Sequence, residues 1–384
     1  MTTRPRGRRL RVAILILFAA YAAWLAVSVA RFSPPRAEPR AAGRTAGPPY
    51  EVVGVYHVHS EFSDGRATPD EIAVVAARRK LDFVILADHG NPNRRSLESQ
   101  GRREGVLILA GSELSVSRGH LVALDFAPPE RPFAQNAEQA VLEVAARGGF
   151  SIVAHPYSKT SWTWGDEAGF SGIEIADSDT MIRRNFLRVL PYIPALALKP
   201  ALPMLRALSR PVETLRKWDS LAARQPVFGY LSADAHFFYG AVFGCFGLHA
   251  LLEEPPARDF EEARAQVFGA LRRGRFYGAV DGAAPAGGFE FSAEAGGERF
   301  PMGSRVPWNG GPAVKLVVRA PFTFEIAIRL LQDGRVIEEG RGTELTFAAD
   351  RPGVYRSEVY LRTRSPLADD FPWIVSNPIF LERS

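Results

Sequence analysis

The sequence predicts an α/β protein with a mostly parallel sheet or barrel, preceded by an apolar N-terminal helix and followed by an all-β domain. Between residues 50 and 284, apolar strand-like runs alternate with helical stretches, which is the pattern of a parallel sheet. From residue 285 the chain contains only short alternating runs that glycine and proline separate. Six of the seven histidines fall at the ends of the strand-like runs. The length of 384 residues is enough for two domains.

The N-terminal segment predicts a membrane anchor. Five arginines lie within residues 1–11, and residues 12–30 form an uncharged run of 19 residues. A bilayer core takes about 20 apolar residues as a helix, whereas the apolar part of a secretory signal is usually shorter, roughly 7–15 residues. We expect a basic cytoplasmic N-terminus and a single-pass transmembrane helix, with the body outside a bacterial-type cytoplasmic membrane. The alternative is a signal sequence cleaved after Ala30, which would give a secreted protein.

Charge and composition exclude some classes of protein. Residues 1–49 contain nine arginines and one acid, so the rest of the chain holds 38 basic and 41 acidic residues, although the net charge is +5. The folded part is therefore not expected to contain a specific nucleic-acid-binding domain. Residues 31–49, rich in proline, alanine, glycine and arginine, are expected to be a linker. The single cysteine, Cys245, excludes an internal disulfide.

The elements of the segment 50–284 follow in order. A short strand ends at His57. Thr68 then caps a helix, with Pro69 in its first position and Glu71 closing a capping box. Further strands are predicted at residues 83–87, 106–110, 121–126, 150–154, 172–176, 227–233 and 275–280, and further helices at 137–147 and 261–273. In parallel α/β folds the functional side chains gather at the carboxyl ends of the strands.

The segment 285–384 contains six short strand-like runs and no helical pattern. This pattern is typical of a β-sandwich of about a hundred residues. The segment contains no histidine, and we expect no chemistry there.

The histidines and acids at strand ends indicate a metal site. In the H-x-H motif at 57–59, strand periodicity would place both imidazoles on one face. The D-x-H motif at 234–236 repeats this arrangement with a carboxylate. Asp64 lies in a turn, and Glu113 is a candidate bridge between two ions. A lone histidine is more often a buried structural residue, but this many strand-end groups favour metal binding. Nitrogen and oxygen ligands without thiolates suit manganese, zinc or iron.

The order of these motifs resembles a known family. The motifs H-x-H-S-x-x-S-D-G, D-H-G, G-x-E, G-H-L, A-H-P and D-A-H resemble the PHP (polymerase and histidinol phosphatase) domain from about residue 52 to about residue 280. The resemblance implies a distorted (β/α)₇ barrel with two or three divalent metal ions. It also implies phosphoester hydrolysis by a metal-bound hydroxide. The ligand positions that it implies are His57, His59, Asp64, His89, Glu113, His120, His155, Asp234 and His236.

The resemblance also bears on the substrate. Asp64 stands where histidinol phosphatase-like relatives tend to have histidine, and the S-D-G turn looks like the branch that cleaves nucleotides and oligonucleotides. We therefore expect a phosphate mono- or diester, carried by a small molecule or a nucleotide. The apolar segment and the β-sandwich are not parts of the typical cytoplasmic members. The alternative, of a different class, is a non-catalytic surface module whose metal site is structural.

Four further residues are candidates for the site. Asp88 is expected to orient an imidazole ligand, and its alternative is a helix N-cap. Lys159 is a candidate for binding a substrate phosphate, and a solvated lysine is the alternative. Trp162 and Trp164 either stack on a base or sugar or pack against the protein. His249 has no acidic neighbours in sequence and is expected to be structural.

The segment 181–217 is unusual for a soluble fold. It contains eight basic residues and one acid around a proline-broken apolar run. Such a segment is typical of a membrane-interfacial insertion, and the alternative is a pair of helices packed on the body. Just before it, Asp177 and Asp179 are expected to be solvated loop acids, and the alternative is that they line the pocket.

Overall fold

The computed structural model describes residues 6–32, 48–158, 162, 165–166, 169–321, 325–362, 367 and 371–383. The predicted mixed α/β fold is confirmed. The helices within these residues, besides a 3₁₀ helix at Leu190–Ala197, are α1 (Arg6–Arg31), α2 (Pro69–Arg78), α3 (Arg94–Glu98), α4 (Ala137–Ala146), α5 (Ser178–Arg184), α6 (Phe186–Val189), α7 (Ala201–Ala207), α8 (Val212–Ala222), α9 (Tyr239–Val242) and α10 (Phe260–Arg272).

The strands form three sheets. They are β1 (Tyr50–Val58), β2 (Phe83–Leu86), β3 (Gly101–Arg103), β4 (Val106–Ala110), β5 (Ser112–Val116), β6 (Gly119–Leu124), β7 (Phe150–Ala154), β8 (Gly172–Asp177), β9 (Phe228–Ser232), β10 (Gly247–Leu252), β11 (Phe276–Ala279), β12 (Glu290–Ala295), β13 (Glu298–Pro301), β14 (Arg305–Trp308), β15 (Val314–Arg319), β16 (Ile326–Gln332), β17 (Arg335–Arg341), β18 (Glu344–Ala349), β19 (Gly353–Leu361), β20 (Ile374–Ser376) and β21 (Ile379–Arg383).

Local sequence explains where the helices begin. Thr68 accepts a hydrogen bond from the Glu71 amide and Glu71 reaches back to the Thr68 amide, so the predicted capping box at α2 is present. Asn136 and Asp259 are the N-caps of α4 and α10. The side chain of each accepts a hydrogen bond from the backbone N–H three residues further along the chain. The buried residues of these helices recur at helical spacing and pack towards the sheets.

Two sheets build the part of the fold that carries the histidines. In the larger one, β1, β2 and β4 are parallel neighbours, and β10 and β11 continue it on the other side of β1 in antiparallel pairing. The second sheet has the order β5-β6-β7-β8-β9, with β7, β8 and β9 parallel. These strands are almost continuously buried, because both faces of a parallel sheet are covered.

The two sheets meet at two seams. At one seam, Val58 at the end of β1 forms a parallel bridge with Ala235, just after β9. At the other, His89, just after β2, forms a parallel bridge with Glu113 in β5. Each bridge contains or adjoins residues of the predicted metal site, so the seams bring together the strand ends on which those residues lie.

The C-terminal strands are divided between two sheets. Strands β12, β13, β15 and β18 form a sheet of their own. The others extend the larger sheet, because β20 pairs with β11 over Tyr277–Ser376, Gly278–Val375 and Ala279–Ile374. The strands after residue 285 therefore form one sheet of their own and also extend the larger sheet, and the domain boundary near residue 285 stays a prediction.

The segment 181–217 is helical and lies against α1. The hydroxyl of Tyr21 donates to the carbonyl of Pro191 (2.8 Å), and the rings of Trp24 and Tyr192 lie 5.0 Å apart. Arg210 and Lys217 are paired inside the protein, with Glu358 and Asp166 respectively. Fewer than the eight basic residues are therefore available to an external partner.

His249 is a buried structural histidine, as predicted. Its two ring nitrogens lie 2.6 Å from Glu51 and 3.0 Å from Asp281. Burial opposes its protonation, but the charges of both carboxylates outweigh burial and raise the pKa of His249 to about 10. The imidazolium links β1, β10 and the segment after β11.

Candidate metal centre

The carboxylate of Glu113 lies at the centre of the predicted site. It is almost fully buried at the start of β5, next to the seam with His89. One of its oxygens is 2.7 Å from His120 and 2.8 Å from His155, and the other is 3.2–3.3 Å from three further imidazoles. The five histidines around it are His57, His59, His89, His120 and His155.

The H-x-H pair converges by a route that strand periodicity does not predict. The pairing of β1 with β2 shifts register between Tyr56 and Val58, and His57 between them has a left-handed φ of 64°. This bulge turns His57 so that its Nε2 and that of His59 both approach Asp234, at 3.7 and 3.4 Å. Asp234 also has a positive φ, 40°. Bulky residues rarely adopt this conformation, and it concentrates at functional sites.

A more exposed part of the site surrounds Asp64. Its carboxylate lies 3.3 Å from His59, 3.3 Å from His236 and 3.7 Å from His89. Asp64 is about half exposed, and His89 and His236 are partly exposed. This side therefore gives solvent and ligands access to the site. The nine predicted ligand positions thus form one continuous cluster.

The donor set fits divalent cations. Three groups of side chains can each place their ligand atoms within 4.8 Å of one another: His59, Asp64, His89 and His236; His57, His59 and Asp234; His89, Glu113 and His120. Among the described residues, the buried Nε2 atoms of His57 and His59 and the Nδ1 atom of His89 have no hydrogen-bond partner. Buried polar atoms are normally satisfied, and coordination to a cation would satisfy these nitrogens.

The electrostatics of the cluster also favour positive charge. Burial by itself would raise the pKa of the Glu113 carboxyl, but the charge of His57 and hydrogen bonds from His120 and His155 hold it well below its usual range. Burial opposes protonation of the histidines, yet the neighbouring carboxylates raise the pKa of His59 to about 9 and that of His155 to about 10. The site therefore stabilises cations at its centre.

Glu174 is a site residue that sequence reasoning missed. It is buried in β8, where its two oxygens contact His57 Nδ1 at 2.6 Å and accept from the backbone N–H of His155 at 2.8 Å. Glu174 thus fixes the orientation of the His57 imidazole and the backbone of His155, two of the predicted metal ligands. The signal in the sequence was a single acid inside an otherwise apolar strand, Gly-Ile-Glu-Ile-Ala.

Asp88 supports the site through hydroxyls. Its buried carboxylate accepts hydrogen bonds from the side chains of Ser60, Ser63 and Ser96, and from the backbone N–H of Ser60. The hydroxyl of Ser63 lies 3.3 Å from Nδ1 of His59. Asp88 was expected to orient an imidazole, and within the described hydrogen bonds it reaches that of His59 through Ser63.

The predicted substrate-binding residues are placed only in part. Lys159 and Trp164 lie outside the described residues. Trp162 is 8% exposed, packs edge-on against Phe170 at 5.6 Å and has the Lys217 ammonium 4.8 Å from its ring centre. This placement favours the packing alternative for Trp162, because its ring is already covered by protein.

Asp177 differs from the expected solvated acid. It is buried at the end of β8 and caps α5 by accepting from the Thr180 N–H at 2.7 Å. Burial and the charges of Asp234 and Glu174 raise the pKa of Asp177 to about 7. Asp179 is paired with Arg183 one helical turn on.

The chain is similar to a phosphatase. It is 34% identical over 106 residues to a 3′,5′-nucleoside bisphosphate phosphatase from Chromobacterium violaceum. The match covers 26% of this chain and spans 37% of the length of that curated relative. No family model matches the chain.

Three solved structures match the chain at low sequence identity. A two-domain protein containing a predicted PHP-like metal-dependent phosphoesterase from Bacteroides vulgatus is 16% identical, covers 85% of this chain and 95% of its own, and has a TM-score of 0.41. A protein assigned to the metal-dependent phosphoesterases from Bifidobacterium adolescentis is 13% identical (49% and 88% covered, TM-score 0.33). An amidohydrolase from Chromobacterium violaceum with bound sulfate and no metal is 18% identical (48% and 87%, TM-score 0.32).

The predicted resemblance to a phosphoesterase agrees with the similarity of 106 residues of this chain to a phosphatase. Proteins of this type are hydrolases that act on ester bonds. The His, Asp and Glu groups of the site agree with a dependence on divalent metal ions.

Proposed function

We propose that the chain is a metal-dependent phosphoesterase whose catalytic centre is the cluster around Glu113. The observation that carries the proposal is the convergence of five imidazoles on one buried carboxylate, with Asp64, Asp234 and His236 completing the set. The cluster would hold two or three divalent ions of manganese, zinc or iron. Such ions lower the pKa of water to about 7 and offset the charge of a phosphoryl group.

The residues of the chain have distinct tasks in this proposal. Glu113 has ligand atoms for two ions, because each of its oxygens faces a different set of imidazoles. Glu174 holds His57 in one orientation, and Asp88 holds the turn that carries Ser63 and Asp64. The partly exposed side at Asp64, His89 and His236 is where a phosphate group would enter.

Nucleotides are the substrate class that we favour. The S-D-G turn at 63–65 resembles the nucleotide-cleaving branch of the family, and the similar protein from Chromobacterium violaceum is a nucleoside bisphosphate phosphatase. The proposal does not require a separate nucleic-acid-binding domain.

The fold is also part of the proposal. The two seams between the sheets support a (β/α)₇ barrel that spans residues 50–284, followed by an accessory β region at 285–384.

Hydrolysis assays test the proposal. Purified protein supplied separately with manganese, zinc and iron should hydrolyse phosphate mono- or diesters, including an aryl phosphate and nucleoside phosphates. Chelation should lower the rate at least about 100-fold, and adding metal back should restore it. A protein that binds the metals but hydrolyses none of these esters would instead be a binding module with a structural metal site.

We further propose that the chain is attached to a bacterial-type cytoplasmic membrane with the metal centre outside the cytoplasm. Helix α1 is the one described helix that is long and apolar enough to cross a bilayer, from Arg8 to Arg31. A signal sequence has the same properties, so a secreted form after cleavage is the alternative. The arginines before residue 12 would remain in the cytoplasm.

A second membrane contact is proposed for the helical segment beside α1. Five large apolar side chains within residues 186–198 of this segment are 39–82% exposed, and we call them the apolar surface. They are Phe186, Leu187, Leu190, Ile193 and Leu198. Exposed arginines flank them, among them Arg184, Arg188 and Arg206. The contacts of Tyr21 and Trp24 with Pro191 and Tyr192 place this surface next to the apolar helix.

Vesicle binding is expected to depend on this surface. A protein that starts at Thr45 should bind vesicles with anionic lipid at low salt and leave them at high salt, since each basic residue near such a surface contributes about 1 kcal/mol. The double variant L187S/L198S should bind at least about tenfold more weakly.

The control for this test replaces exposed apolar residues elsewhere. The variant L142S/V336S changes side chains of comparable exposure on α4 and β17 and should bind vesicles like the parent protein. Equal binding by both double variants would reject the apolar surface as a lipid contact, and full-length protein found soluble in the cytoplasm would reject the proposed localisation.

A further inference from the structure

An apolar cleft lies directly beside the most exposed part of the metal centre. Its volume is about 500 Å³, and it is lined by Arg66, Ala67, Phe237, Phe238 and Tyr239. Phe237 follows His236 in the chain, and Arg66 is two residues after Asp64. His236 and Asp64 both belong to the partly exposed side of the predicted site. The cleft therefore adjoins the proposed phosphate entrance.

The two phenylalanines are presented to solvent. Phe237 is 49% exposed and Phe238 is 58% exposed. Their rings lie 5.2 Å apart at an interplanar angle of 75°, so they form a corner with one ring face open beside the edge of the other. Large aromatic side chains are mostly buried in folded proteins, and an exposed pair next to a polar centre points to contact with a ligand.

The backbone holds this corner in an unfavourable conformation. Phe238 has φ 51° and ψ 34°, in the left-handed region that bulky residues avoid. The next residue fixes the loop: the Tyr239 hydroxyl lies 2.8 Å from the carbonyl oxygen of His59 and 2.9 Å from that of His236, which share its one proton, and it accepts from the backbone N–H of Arg66. Tyr239 thus ties the loop to the backbone of two predicted metal ligands, while Phe237 and Phe238 stay about half exposed. Backbone strain of this kind concentrates at functional sites.

We infer that Phe237 and Phe238 form a stacking subsite for the nucleobase of a nucleoside phosphate whose phosphate group enters the metal centre. This inference rests on the proposed function and specifies its substrate class. A flat ring system fits a corner of two perpendicular rings, because one ring offers its face for offset stacking and the other offers its edge. The exposed guanidinium of Arg66 on the rim of the cleft would offset the negative charge of the substrate.

Kinetics of conservative variants test the subsite. Full-length protein in detergent, supplied with manganese, would be assayed with adenosine 5′-monophosphate and with ribose 5-phosphate, which lacks the base. F237L and F238L should raise KM for the nucleotide roughly 5- to 100-fold, the range that loss of base–aromatic stacking gives. Their kcat should stay within about twofold, because stacking contributes equally to bound substrate and transition state. Ribose 5-phosphate should show no change, and L142S should leave both substrates unaffected.

Three further measurements complete the test. Dodecyl phosphate distinguishes an alkyl chain from a base, because leucine retains apolar contact but removes the aromatic face. If dodecyl phosphate bound more tightly than the nucleotide, and only F237A/F238A weakened it, the occupant would be an alkyl chain and the inference would be wrong.

F238G should raise KM for the nucleotide without lowering the melting temperature, because glycine accepts the left-handed backbone. A lower melting temperature with unchanged KM would show that Phe238 has only a structural role.

Failure of the subsite and failure of the proposed function can be told apart. If the parent protein hydrolysed ribose 5-phosphate but F237L left KM for the nucleotide unchanged, the subsite alone would be rejected. If no phosphoester were hydrolysed, the proposed function would fail. Calorimetric titration with adenosine 5′-monophosphate and manganese would then test stacking without turnover. In that titration, equal affinity of the parent protein and F237L would overturn the subsite.

Discussion

Replacing His57 and His59 together with alanine is expected to lower phosphoester hydrolysis by about three orders of magnitude or more. The two imidazoles approach both Glu113 and Asp234, so their loss removes ligands from the centre of the cluster. Divalent cations supply several kcal/mol of transition-state stabilisation in such sites, and each 1.36 kcal/mol corresponds to a factor of ten in rate. Turnover and metal content of the purified variant are the measurements.

A buried histidine outside the cluster provides the matched control. His249 is as buried as His57, and it lies in the strand next to β1. H249A should lower the free energy of unfolding, because it leaves Glu51 and Asp281 without their cation, but it should keep the metal content and rate of the parent protein. If the double variant H57A/H59A kept the metal content and turnover of the parent protein, the metal centre would have been assigned to the wrong residues.

Replacing Glu113 with glutamine is expected to lower the number of bound metal ions as well as the rate. The change preserves shape but removes the negative charge on which five imidazoles converge. A bridging carboxylate offsets the repulsion between two cations, so its neutral counterpart should lose at least one ion per chain. We expect a fall in rate of about 100-fold or more. Elemental analysis of the purified variant gives the ratio of metal to protein.

Glu174 is the comparison that isolates the bridging role. It is equally buried and contacts His57, but it is not one of the nine ligand positions. E174Q should therefore weaken metal affinity or activity by about 10- to 100-fold, as the loss of an orienting residue does, while the full number of ions binds at saturating metal. An unchanged metal ratio in E113Q, or equal losses in E113Q and E174Q, would contradict the bridging role.

The sequence predicted which histidines and acids come together because these residues lie in short motifs at strand ends. His57, His59 and Asp234 occupy such motifs, and the parallel strands bring those ends together without further information. The orientation of His57 was not predictable in detail. Strand alternation places two imidazoles on one face, but the bulge at His57 depends on how β1 pairs with β2.

Other features depend on contacts between distant residues, which local patterns do not encode. Glu174 stands alone in an apolar strand, and its role follows only from the approach of β1 and β8. The exposure of Phe237 and Phe238 is set by the loop that Tyr239 holds. The cations Arg210 and Lys217 belong to a basic segment in sequence, but partners 148 and 51 residues away neutralise them.

The pairing of β20 with β11 means that the C-terminal region is not a removable module. A chain ending at residue 284 would leave the outer edge of β11 with unsatisfied backbone N–H and C=O groups and would remove Phe289 from the ring of Tyr277. Unprotected edges of this kind recruit strands from other chains. Strand β20 therefore covers an edge of the sheet that carries His57 and His59, an edge that strands of other chains would otherwise be able to pair with.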